Sequence, residues 1–121
     1  MTIANLFVGL VSLLHAGFMI LEMFFWGKPL GPLKIGPDEP AIAATSKILA
    51  ANQGLYNGFL AAGLAWGLSI SGAHGTSIKV FFLSCVIVAG VFGGLTDKRE
   101  ILLVQALPGV VALALVLWSR G

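Results

Sequence analysis

The chain has 121 residues, of which 58% are hydrophobic and only 10% charged, and its formal net charge is +2; the mean hydropathy is +0.99. An average globular protein carries roughly 25% charged residues, and a small soluble domain needs them most because its surface is large relative to its volume. This composition argues against a soluble enzyme, a disordered chain and a nucleic-acid binder, and the single Cys85 argues against a disulfide scaffold.

The charges fall in short clusters that leave long apolar stretches between them. A hydrocarbon layer about 30 Å thick needs about 20 apolar residues in a helix. The first span is expected at 3–26, where Glu22 is the one charge before Lys28. No Lys or Arg precedes it and no small-residue cleavage site follows, so it reads as a span and not as a removed signal peptide. A loop over 27–47 follows, punctuated by Pro29, Gly31, Pro32, Gly36, Pro37 and Pro40. Asp38 and Glu39 before Pro40 suit a helix start, since acids favour the positive end of the helix dipole and proline fits the first helical position. The second helix is therefore expected to begin near Pro40 and to enter hydrocarbon near Ile48.

The remaining spans are expected at 48–70, 78–96 and 101–119. They are bounded by the uncharged runs of 31 residues between Lys47 and Lys79, 17 between Lys79 and Asp97, and 19 between Glu100 and Arg120. The short connections make neighbouring helices antiparallel. The fold class is thus all-α, an integral-membrane up-down four-helix bundle, with 1–121 as a single transmembrane domain. Lys28, Lys34, Lys47, Lys98 and Arg99 lie in the first and third loops, against Lys79 and Arg120 on the opposite side. The positive-inside tendency puts those two loops in the cytoplasm.

Polar residues inside spans carry the functional argument, because a charge at the centre of a membrane helix costs about 2.5–3.5 kcal/mol and normally faces a cavity or a partner. Glu22 is the one carboxylate inside a span and His15 the one imidazole. Seven residues apart, they share a helix face at heights about 10 Å apart. On the second helix Gln53, Tyr56 and Asn57 form one stripe with Asn52 at its edge, and Gln105 enters the fourth span at a similar depth. Together these residues predict a polar pocket opening toward the first and third loops. In the alternative reading the same amides and phenol are structural glue between helices.

Three uses of such a pocket stay open. In the first, a membrane-embedded enzyme acts on a lipophilic small molecule. Glu22 is general acid or base, His15 its partner or relay, and Tyr56, Asn52, Gln53, Asn57 and Gln105 orient the substrate. Isomerisation is the simplest such chemistry, since it needs no cofactor; haem bound through His15 is a variant. In the second, the pocket binds or transports an amphipathic molecule with Glu22 as a protonation switch. In the third, the stripe grips a partner helix in a membrane complex. One His and one Glu do not make a metal site. The small-xxx-small spacings of Gly54 and Gly58, of Gly63 and Gly67, and of the cluster Gly90, Gly93 and Gly94 favour close helix packing, and a spare one would favour a homo-oligomer.

The strings His15-Ala16-Gly17, Leu21-Glu22-Met23-Phe24 and Ala51-Asn52-Gln53-Gly54-Leu55-Tyr56-Asn57-Gly58 resemble a bacterial family of small four-helix integral membrane proteins classed as a domain of unknown function. The resemblance covers essentially the whole chain, and Asn-Gln-Gly-x-Tyr-Asn-Gly is its most specific part. It implies four spans in the bacterial inner (plasma) membrane and a prominent polar stripe; it implies no reaction.

Overall fold

An apolar segment in lipid has no water to satisfy its backbone N–H and C=O groups, and a helix satisfies them within the segment itself. The computed structural model describes residues 2–120 and is all-α, with four long helical segments. Helix α1 spans Ile3–Phe24, α2 Pro40–Ser69, α3 Gly72–Thr96 and α4 Leu107–Arg120, the last entered through a π-helical turn, Leu102–Ala106. Three segments, Ile3–Phe24, Gly72–Thr96 and Leu102–Ser119, are long and apolar enough to cross a membrane, which marks this as a membrane protein. Helix α2 has the length, 30 residues, but is not among the three; Asn52, Gln53 and Asn57 dilute its apolar character. The second helix does start at Pro40, as the sequence indicates, and the third starts six residues before the expected span, at Gly72.

By its internal contacts the chain divides into two compact units, one of residues 1–13 with 60–121 and one of 14–59. In the first unit all four helices contribute to one core. Val8 and Val11 come from α1, Leu64 from α2, Leu83 and Val86 from α3, and Ala112 and Val116 from α4. Burying a Val or Leu fully is worth about 1.5–3 kcal/mol against exposure to water. In lipid the gain comes instead from close packing and from hydrogen bonds between helices. Ser12 supplies one such bond, its hydroxyl donating to the Ala61 carbonyl at 2.8 Å.

The π turn has a local cause. Pro108 has no N–H, and a proline ring inside a helix collides with the carbonyl four residues back, here that of Val104. The chain widens one turn, and the Leu107 N–H bonds to the Leu102 carbonyl, five residues back. Gly90 of α3 makes room for the widened turn: a Cβ there would lie 2.6 Å from the Ala106 nitrogen. Glycines of the small-residue spacings are engaged in helix packing within the chain. Gly90 faces Ala106, Gly94 faces Leu102, Gly63 faces the Phe82 ring and Gly67 faces Lys79.

The second unit holds the later part of α1, the first loop and α2 up to residue 59. Within the loop, β1 (Pro29–Leu30) and β2 (Leu33–Lys34) pair antiparallel, with Pro29 opposite Lys34. The ribbon is closed by Gly27 N–H to the Ile35 carbonyl at 2.6 Å and Ile35 N–H to the Lys28 carbonyl at 3.3 Å. Its base is pinned by Trp26, whose indole N–H donates to Ser46 Oγ at 2.8 Å. Gly36 passes over that ring at φ +92, with space for a hydrogen and not for a Cβ, which would lie 2.9 Å from the indole. The loop expected from the proline and glycine content is therefore a pinned hairpin.

Many outward side chains along the helices are apolar: Ile48 is 75% exposed and Leu95 77%. In water such surfaces would drive association; in a bilayer they meet acyl chains.

Candidate functional site

Two helices of the second unit meet where their side chains are smallest. Gly54 and Gly58 are one turn apart on α2. A Cβ on Gly54 would lie 2.8 Å from Met23 Cγ and 3.1 Å from both Glu22 Cβ and the Met19 carbonyl oxygen, while one on Gly58 would lie 2.6 Å from Met19 Sδ. With only hydrogens there, α1 and α2 approach closely, as small residues allow in lipid. The close approach brings Glu22 within reach of the shoulder of α2 that carries two amides.

Glu22 is half-buried, and both of its oxygens are held. Gln53 Nε2 donates to Oε2 at 2.8 Å, and Asn57 Nδ2 donates to Oε1 at 2.6 Å. Asn57 is 9% exposed, whereas Gln53 faces outward. Hydrogen bonds to an ionised carboxylate are among the stronger kind, roughly twice a neutral pair. Each oxygen still has a lone pair beyond the one in use. A primary amide also carries both donor and acceptor, so rotation of Gln53 or Asn57 presents a carbonyl to a protonated Glu22. The cluster can therefore hold the side chain as carboxylate or as acid, which is what a proton-exchanging group needs.

Asn52, Tyr56 and His15, in the same unit, have other contacts. Asn52 donates to the Ile48 carbonyl of its own helix at 2.9 Å. Tyr56 is 61% exposed, with its ring tilted against Phe59 at 5.8 Å. His15 is fully buried, its ring edge-on to Phe18 at 5.3 Å. Two helical turns separate it from Glu22, about 10 Å along the axis. Gln105 is half-buried in the π turn of the first unit. Among the described residues no three His, Cys, Asp or Glu side chains converge on a point that could hold a metal ion. Cys85 is half-buried on α3 and His74 packs its ring against Trp66 at 6.5 Å.

The sequence reading centred the α2 contact on its polar stripe. At about 100° per residue, Gly54 and Gly58 lie on the side of Asn57 away from Tyr56 and Asn52. The glycines turn toward α1, so only the nearer edge of the stripe reaches Glu22. The Gly54/Gly58 spacing was the signal that could have separated these residues.

Among known proteins, residues 9–117 match the family described as "Protein of unknown function (DUF1304)". The chain is also 34% identical over 65 residues to the uncharacterized protein YpaA of Lactococcus lactis subsp. lactis (strain IL1403), an alignment covering 54% of this chain and 52% of that protein. The chain thus spans about half the length of this curated relative. No solved structure matches it. With nearly its full length matched, and with the polar string and apolar helices in place, the chain belongs to the DUF1304 family.

Proposed function

We propose that this is a multi-pass membrane protein in which Glu22, backed by Gln53 and Asn57, takes up a lipophilic or amphipathic small molecule and exchanges a proton with it. The observation that carries the reading is one acid inside an apolar span with both oxygens held by amides and lone pairs left over. Membrane interiors seldom keep an acid without use. In this reading α2 also crosses the bilayer, with the Glu22 cluster covering its least apolar part.

The simplest chemistry is isomerisation. Glu22 as carboxylate accepts a proton from one carbon of the substrate and, as the acid, returns it to another. Atoms and charge balance without a cofactor, and Asn57 and Gln53 hold the carboxyl oriented through both steps. A transporter would use the same protonation cycle without changing the cargo. A second reading, that the cluster is a staple between α1 and α2, is favoured by both Glu22 oxygens already accepting hydrogen bonds within the chain.

The test is mass spectrometry of small molecules retained by gently purified protein, wild type against Glu22→Gln. A stoichiometric ligand that is lost in the variant supports the proposal. Equally folded proteins that retain nothing specific in either form would leave the staple reading and sink the pocket.

A further inference from the structure

A second polar feature lies in the first unit, on residues that the Glu22 cluster does not use. Where α2 turns into α3 a cavity of about 550 Å³ opens, lined by Asn5, Leu68, Ser71, Thr76 and Lys79 among others. Lys79 is the one charged residue inside α3. Its stem lies across Gly67, where a Cβ would come within 2.7 Å of Lys79 Cγ, and its ammonium donates to Asn5 Oδ1 at 2.9 Å. A lysine that only needed water would extend freely to the interface; this one is laid across α2 and fixed to α1. An ammonium has three donors, and Asn5 takes one. Among the described residues no carboxylate lines the cavity. Asp97, at the other end of α3, lies 18 residues away, about 27 Å along the helix.

Next to this cavity runs an apolar groove of about 350 Å³ along α1, lined by Leu6, Gly9, Leu10 and Leu13, and it shares Asn5 and Leu68 with the first. The spacing 6, 9, 10, 13 is one helix face, and Gly9 forms the floor: a Cβ there would meet only Leu68 Cδ1, at 3.9 Å. Helix α3, at 25 residues, is longer than the hydrocarbon layer. With Lys79 taken as the boundary of the hydrocarbon, the helix's first turns stand at headgroup level. A cationic polar end at the headgroup level joined to an apolar channel leading inward has the pattern of an amphipathic anion.

We propose that the two cavities together form a binding site for one acidic phospholipid, with the phosphate on Lys79 and Ser71 and one acyl chain in the groove over Gly9. Charge sets the choice of occupant. The ammonium favours a headgroup of net negative charge, whereas phosphatidylcholine pairs its phosphate with a trimethylammonium and carries no net charge. Free phosphate would satisfy Lys79 but gain nothing from the groove.

The experiment is native mass spectrometry of the full chain titrated in detergent with phosphatidylglycerol, phosphatidylcholine or inorganic phosphate. One phosphatidylglycerol is expected to bind, with a preference of at least about fivefold over phosphatidylcholine, the size of one cation's pull on an anionic lipid. Lys79→Gln should abolish the preference and Lys79→Arg should keep it, which separates lost charge from misfolding. Gly9→Leu fills the groove and should weaken retention of both lipids. Equal binding of the two lipids by the wild type overturns the proposal. So does a preference that survives Lys79→Gln, binding unaffected by Gly9→Leu, or inorganic phosphate binding as well as the lipid.

Discussion

Replacing Gly54 by valine tests whether the close approach of α1 and α2 builds the Glu22 cluster. The first added carbon would stand 2.8 Å from Met23 Cγ and 3.1 Å from the Met19 carbonyl oxygen. Ordinary carbon contacts sit near 3.5–4.0 Å. The Met23 side chain can yield, but the Met19 carbonyl belongs to helix backbone, so the helices must part by several tenths of an ångström. Overpacking of this kind costs about 1–3 kcal/mol. The separation also stretches the 2.6 and 2.8 Å bonds to Glu22. Interhelical hydrogen bonds in a membrane protein are worth about 0.6 kcal/mol on average and about 1.7 at most. With both weakened, the expected loss is about 2–6 kcal/mol. Gly17→Ala is the control, because nothing lies within 4 Å of its added carbon. It should be neutral or stabilising by up to about 1 kcal/mol, since alanine is the better helix former. Equilibrium unfolding in mixed micelles with rising SDS reads both variants. If Gly54→Val proved as stable as Gly17→Ala, α1 and α2 would not meet at Gly54, and the basis for the Glu22 cluster would fall.

Two further predictions concern the hairpin and the stripe. Gly36→Ala places a side chain at φ +92 and against the Trp26 indole, which should cost about 1–3 kcal/mol of local stability. Trp26→Phe removes the bond to Ser46 and should cost about 1 kcal/mol. In both, limited proteolysis within 27–39 should run faster than in the wild type, and unchanged cleavage would mean the hairpin is not pinned. Tyr56→Phe should change stability by less than about 0.5 kcal/mol and leave retained ligand unaltered, because the ring is 61% exposed. A loss of ligand in that variant would restore Tyr56 to the site.

Much of the architecture follows from local chemistry and so could be read along the chain. Charge-free runs set three apolar helices, because an unpaired backbone is intolerable in lipid whatever the neighbours are. Pro40, preceded by Asp38 and Glu39, fixes the start of α2 through its own φ and missing N–H. The likeness of the polar string to a bacterial family was also legible, and the match over residues 9–117 agrees with it. Glu22 stood out as a carboxylate inside an apolar span, and Gln53 and Asn57 as amides on one helix face.

Only the tertiary structure decided which amides reach Glu22. Helical period orders residues around an axis, but the rotation of that axis comes from packing, and Gly54 and Gly58 turned α2 so that Tyr56 and Asn52 missed the acid. The same holds for Lys79, an isolated charge in the sequence that the fold lays over Gly67 onto Asn5, 74 positions away. Widening of the turn at Leu102–Ala106 likewise combines a local cause, Pro108, with a distant permission, the missing side chain of Gly90. A residue's type and helix face are local properties. Its partners are chosen by helix rotation and separation, which depend on contacts between segments far apart in the chain.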